Sequence, residues 1–118
     1  MRPDIRVLLA DADRAAADIA RFTDGMDRDS YVSDTRTQAA VERKFEIIGE
    51  ALNRLRQTFP EIADRIPPVR EVVGFRNLLI HGYATVIPER VWDYAENDLP
   101  ELRKMVQALL CEMGPPEA

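Results

Sequence analysis

Apolar side chains recur every three to four residues along most of this chain, which is the period of an amphipathic α-helix. Four stretches show this pattern, at residues 3–23, 33–58, 69–82 and 88–113. In the second stretch the apolar residues step by four and three along a single seam. That seam consists of Val41, Phe45, Ile48, Leu52, Leu55 and Phe59. No stretch alternates with period two over a useful length, so the pattern predicts an all-α protein.

Polar residues and prolines mark where the predicted helices end. The polar stretch at residues 24–27 separates the first two helices, and prolines bracket a connector that can hold one helical turn at residues 61–65. Pro88 occupies a position favoured in the first turn of a helix, whereas Pro100 should kink the fourth helix or split it in two. We therefore predict one domain over residues 1–118, folded as an all-α, up-and-down bundle.

The composition favours a cytoplasmic location. The single cysteine excludes an internal disulfide and suits a reducing compartment. No apolar run approaches the roughly 18 residues of a membrane span, and the N-terminus lacks the pattern of a signal peptide.

Charge is distributed unevenly along the chain. The net charge of −5 argues against a large nucleic-acid footprint held by bulk electrostatics. Residues 36–88 nevertheless carry a net +2, between flanking segments of −3 and −4. Arginine supplies 14 of the 16 cationic side chains, and its guanidinium can bind phosphate bidentately. These arginines permit phosphate binding, but a solvated helical surface would look the same.

The octapeptide RNLLIHGY, from Arg76 to Tyr83, contains the only histidine of the chain. On a helix, Asn77 and His81 share one face, and Arg76 and Tyr83 lie on an adjoining stripe. Gly82 is a natural helix terminator, so His81 should lie in the last turn. The residues left to face the core are Val72, Phe75, Leu78 and Leu79. Polar groups are costly to bury without partners, so this polar side of the helix is a candidate functional site. The alternative is that Arg76 and His81 are structural residues that cap the helix or form ion pairs.

Gly49 interrupts the second helix, at a cost of about 1 kcal/mol relative to alanine. Beside it, Glu46 and Glu50 form an acidic pair four residues apart. The pair is either a solvent-facing stripe, or Gly49 permits close approach of another helix while Glu50 reaches a polar cluster on that neighbour.

Three segments together resemble the HepT-like toxins of the HEPN superfamily. They are QAAVERKFEIIGEALNRLR at residues 38–56, the octapeptide RNLLIHGY, and VWDYAENDLPEL at residues 91–102. The resemblance covers roughly residues 5–110. It departs from the family pattern at Pro68 and at Ala84, where many relatives carry a tryptophan before the motif helix and an aromatic residue after the motif tyrosine.

The resemblance implies a HEPN-like bundle of four to five helices, a homodimer, and a metal-independent endoribonuclease that needs no cofactor. It centres the activity on Arg76 and His81, within an R-x4-H-x-Y motif. To these we add Asn77 as a third catalytic candidate, with Glu50 and Gly82 as supporting residues. It also implies a type VII-like toxin–antitoxin pair, in which a minimal nucleotidyltransferase antitoxin transfers AMP to Tyr83.

The residues themselves suit this chemistry. RNA cleavage without a metal needs a base for the 2′-hydroxyl, an acid for the 5′-oxygen, and positive charge beside the phosphorane. Arg76 can supply the charge, and Asn77 can orient His81 or hydrogen-bond the phosphate. One imidazole cannot comfortably act as both base and acid in one turnover, and each chain has a single histidine. A homodimer that places His81 of both protomers around one cleft would supply both groups. The alternative is a non-catalytic HEPN protein that binds or presents nucleotide to a nucleotidyltransferase.

Overall fold

In a computed structural model, which describes residues 4–82 and 86–114, the chain is helical and contains no strand within those residues. The helices are α1 (Ile5–Phe22), α2 (Arg28–Val32), α3 (Thr35–Thr58), α4 (Pro60–Ala63), α5 (Val69–His81), α6 (Pro88–Asp93) and α7 (Leu99–Met113), with a π-helical segment at Tyr94–Asp98 between the last two. The predicted all-α bundle is confirmed. No helix in the described part of the chain is long and apolar enough to cross a membrane.

Aspartates begin the N-terminal helices. The side chains of Asp4 and Asp34 accept backbone N–H bonds at the starts of α1 and α3, as N-cap residues do. The short helix α2 was not predicted, because it is too brief to show a period. Its signal was a capping box, in which Asp27 accepts from the Ser30 N–H while the Ser30 hydroxyl accepts from the Asp27 N–H.

The long helix α3 organises the core, since it packs against both α1 and α5, while α1 also packs against α7. The predicted seam of α3 is buried from Val41 to Leu55, and Phe59 at its end is half-buried. Burial of this seam against two helices removes the most regular apolar stripe of the chain from water, which is the main stabilising contribution expected for such a helix.

The fourth predicted helix runs from Pro88 to Met113 without a break but changes geometry ahead of Pro100. There the Leu99 N–H bonds to the Tyr94 carbonyl, which is the wider spacing of a π-helix. A proline inside an α-helix lacks an N–H and crowds the carbonyl four residues earlier. The interruption expected at Pro100 therefore takes the form of a π-helical segment that ends where α7, and its first-turn proline, begin.

Candidate active site

Helix α5 presents two different faces. Val72 and Leu79 are buried against the bundle, whereas Asn77 and His81 are both exposed. The predicted shared face of Asn77 and His81 is thus confirmed, as is the placement of His81 in the last turn. Leu78 was expected to face the core, and this was wrong: its side chain is 41% exposed. Only one side of α5 packs on α3, and Leu78 lies about 100° around the helix from Leu79.

Arg76 lies between the two faces of α5. Its side chain is half-buried, and its Nη1 donates a hydrogen bond to Oδ1 of Asn77 at 2.9 Å. Its Nε–H is buried and has no hydrogen-bond partner among the described residues, nor does the guanidinium form an ion pair with any of their carboxylates. A buried donor without an acceptor costs about 1–3 kcal/mol, so Arg76 retains both charge and hydrogen-bonding capacity for an anionic ligand.

Gly49 of α3 fixes where Arg76 can lie. A Cβ atom added at Gly49 would lie 2.2 Å from Cβ and 2.7 Å from Cγ of Arg76, and 3.3 Å from the carbonyl oxygen of Val72. These separations are too short for any side chain at position 49, so α5 approaches α3 this closely only because residue 49 is glycine. The close helix approach expected at Gly49 is confirmed, and its contact is with the motif arginine itself.

An aromatic cluster supports α5 next to Arg76. Phe75 packs against Phe45 and Tyr94, with ring centroids 5.1 and 5.2 Å apart, and Phe45 and Tyr94 are 5.5 Å apart. Burial raises the pKa of Tyr94 far above its ordinary value, and the nearby carboxylates of Glu71 and Asp98 add to the shift. The Tyr94 ring is buried, and its role in this cluster is packing.

Glu50 lies on a different side of α3 from Gly49. It is exposed and lines a groove with Leu8 and Asp11 of α1 and Arg54 of α3. Within the described residues its side chain forms no hydrogen bond or ion pair. The structure therefore gives Glu50 no contact with the Arg76 side of the bundle.

The ends of α5 bear on the remaining sequence expectations. Gly82 is the C-cap, and its N–H bonds to the Leu78 carbonyl, but its φ of −120° is open to any residue. Pro68, one of the two departures from the family pattern, is the N-cap of α5 and makes no side-chain capping bond. Tyr83 and Ala84 lie outside the described residues.

No group of three or more histidine, cysteine, aspartate and glutamate residues that could hold a metal occurs in the described ranges.

The described part of the chain is thus a helical bundle in which α5 carries Arg76, which has no ion-pair partner among the described residues, and the exposed His81. A family model described as ribonuclease HepT-like matches residues 12–109. The chain therefore belongs to the HepT-like family of ribonucleases.

Relatives with modest identity cover nearly the whole chain. Two proteins of Methanocaldococcus jannaschii named "Putative RNase MJ1380" and "Putative RNase MJ0125" are 33% and 32% identical, over 88% and 93% of this chain and 94% of each relative. A Thermococcus cleftensis protein named "Probable ribonuclease HepT" is 34% identical over 86% of this chain and 91% of its own length. No solved structure matches the chain.

Proposed function

We propose that this protein is a metal-independent endoribonuclease whose active site is built around Arg76, Asn77 and His81. The observation that carries the proposal is the state of Arg76, a guanidinium with a buried unpartnered N–H and no carboxylate partner among the described residues. Such a group, on the same helix as an exposed imidazole five residues later, is suited to a phosphate that undergoes proton transfer.

The proposed reaction is transesterification within the RNA strand. A base removes the proton from a 2′-hydroxyl, and the 2′-oxygen forms a bond to the adjacent phosphorus. The bond from phosphorus to the 5′-oxygen breaks, and an acid donates a proton to that oxygen. Arg76 stabilises the negative charge of the phosphorane, and Asn77 holds the guanidinium in place. His81 serves as a proton-transfer group, as base or as acid.

A homodimer would supply the second proton-transfer group, because each chain has one histidine. Three of the four large exposed hydrophobic residues in the described ranges lie on or just after α5. Leu78 and Ile80 flank the stripe that carries His81, and Ile87 follows the helix. Large apolar side chains exposed near one another on a helix can mark a protein–protein contact, which supports a dimer in which two α5 helices meet.

Substitution of Leu78 tests the dimer. We expect Leu78→Lys to convert the protein to a monomer and to lower cleavage strongly, because the charge would be buried in the contact. The fold should persist, since Leu78 is 41% exposed in the single chain. The matched control is Val7→Lys on α1, where a residue 44% exposed lies far from α5 in sequence. Light scattering and a cleavage assay measure both effects, and a wild-type monomer with full activity at micromolar concentration would refute the dimer.

Neutralisation by a nucleotidyltransferase is the regulatory part of the proposal. It rests on membership of the HepT-like family and on the tyrosine two residues after His81. Transfer of AMP from ATP to the Tyr83 phenol, with release of pyrophosphate, would add a phosphodiester carrying about one negative charge two residues after His81 in the sequence. That group would repel RNA by charge and bulk.

Co-expression with a nucleotidyltransferase encoded beside this chain should therefore increase its intact mass by one or more AMP moieties. The increase should be absent in Tyr83→Phe, which keeps the ring and removes the acceptor oxygen. Complete neutralisation of Tyr83→Phe by the same partner would show that the partner inhibits by binding alone.

Expression of the chain by itself separates the nuclease from the non-catalytic alternative. A nuclease should arrest growth and degrade RNA, and His81→Ala should remove both effects. An unimpaired culture with intact RNA would favour a protein that only binds or presents nucleotide to its partner.

A further inference from the structure

Most cationic side chains of the described residues are neutralised by a carboxylate. Ion pairs engage Arg6, Arg14, Arg21, Arg28, Arg43, Lys44, Arg65, Arg103 and Lys104. The arginines of residues 4–82 and 86–114 without an ion pair are Arg36, Arg54, Arg56, Arg70, Arg76 and Arg90. All six lie within or at the edge of the net-positive segment.

Two of these unpaired arginines line one cavity. Arg56, near the end of α3, and Arg70, in the first turn of α5, both border a cavity of about 300 Å³ at the corner formed by α3, α4 and α5. Both side chains are exposed. Arg56 donates only to the neutral amide of Asn53, at 2.8 Å, and Arg70 forms no side-chain hydrogen bond.

The cavity favours an anion despite one carboxylate in its wall. Asp64 lines it but forms an ion pair with neither arginine. Glu71, also exposed, is the acidic residue in the first turn of α5. No side chain caps the N-terminus of that helix, and the positive end of its dipole adds to the charge of the two guanidinium groups.

The position of Arg70 relates this cavity to the candidate active site. Arg70 precedes Asn77 by seven residues and His81 by eleven, so all three project from one side of α5. Eleven residues span about 16 Å of helix axis, which is the length of a few nucleotides. All three side chains are exposed. A strand bound at His81 that follows this stripe would bring a remote phosphate to Arg70.

We propose that Arg56 and Arg70 form a phosphate-binding subsite that holds the RNA backbone a few nucleotides from the cleaved bond. This proposal rests on the proposed ribonuclease function and extends it: the substrate is a single strand long enough to reach both places. A guanidinium binds phosphate bidentately and without regard to base, so the subsite adds affinity and a minimum length, and no sequence preference.

Substrate length separates this subsite from the cleavage centre. We expect Arg56→Ala and Arg70→Ala each to lower kcat/KM for a single-stranded RNA of roughly a dozen nucleotides by about tenfold, mainly through KM. Cleavage of a dinucleotide, which cannot reach the cavity, should be unchanged. The matched control is Arg54→Ala, an exposed and unpaired arginine of α3 that lines the groove toward α1. An equal loss on both substrates, or a loss in Arg54→Ala as large as in Arg70→Ala, would overturn the proposal.

Binding to uncleaved RNA keeps the two proposals distinguishable. In a His81→Ala background, the slope of log affinity against log salt concentration should fall by about 0.7 for each arginine removed, as for a lost phosphate contact on a single strand. Asp64→Asn should tighten binding in the same assay, whereas weaker binding in that variant would contradict the assignment to the arginines. Unchanged RNA affinity when Arg56 and Arg70 are both replaced by alanine would overturn the subsite, but it would not contradict the proposed role of His81 in cleavage. Loss of affinity in a chain that never cleaves RNA would retain the subsite and refute the nuclease.

Discussion

Replacement of Arg76 or His81 with alanine is expected to lower the rate of RNA cleavage by about 100-fold or more in each case. Arg76→Ala removes the charge that stabilises the phosphorane, and His81→Ala removes the proton-transfer group, and losses of this size are typical of either role. The fold should be little affected. The His81 side chain is exposed and makes no hydrogen bond within the described residues, and the guanidinium of Arg76 bonds only to the neighbouring Asn77.

Initial rates on a labelled RNA, with circular dichroism of each variant, make this measurement. Arg36→Ala is a suitable control, since it removes an exposed and unpaired arginine at the start of α3. Wild-type activity in His81→Ala would contradict the assigned role directly. A loss of activity accompanied by a loss of helical signal would instead show that the substitution acts through the fold.

Gly49→Ala should lower the rate of RNA cleavage nearly as much as Arg76→Ala or His81→Ala. Residue 49 is nevertheless proposed neither to contact the RNA nor to transfer a proton. The added methyl group would overlap Cβ and Cγ of Arg76, at 2.2 and 2.7 Å, so α5 must move away from α3. Overpacking of this kind costs about 1–3 kcal/mol of folding stability. Because a displacement of about 1 Å can reduce catalysis roughly 100-fold, activity should fall more steeply than stability.

A double-mutant cycle assigns that effect to the contact with Arg76. The stability loss caused by Gly49→Ala should be smaller in an Arg76→Gly background, because that change removes both overlapping atoms. Denaturant unfolding of the four proteins provides the comparison. Equal losses in the two backgrounds would place the strain elsewhere, for example at the carbonyl of Val72, 3.3 Å from the added methyl. Gln57→Ala, an exposed position on α3, controls for the introduction of alanine into this helix.

Periodicity was sufficient to predict the long helices, because each has one continuous apolar stripe. It was insufficient for α2, which spans five residues and depends on a local capping box. It also placed Leu78 in the core, because an apolar residue next to Leu79 looks buried when the width of the packed face is unknown. The exposure of Leu78 is a tertiary property of how α5 docks on α3.

The candidate site was predicted in outline but not in its supports. The i, i+4 spacing correctly placed Asn77 and His81 on one face, since that relation is local to the helix. The contact between Gly49 and Arg76 joins residues 27 positions apart, and sequence could say only that a glycine in mid-helix permits close approach. The aromatic cluster of Phe45, Phe75 and Tyr94 was likewise invisible, because it draws one residue from each of three helical segments.

The most direct test of the account is cleavage of a single-stranded RNA by the purified protein in excess EDTA, followed by analysis of the new ends. Attack by the 2′-oxygen leaves a 2′,3′-cyclic phosphate on one fragment and a 5′-hydroxyl on the other. The account predicts undiminished cleavage in EDTA with these ends, and their disappearance in His81→Ala. Cleavage that requires Mg²⁺ and leaves 5′-phosphate ends would contradict it.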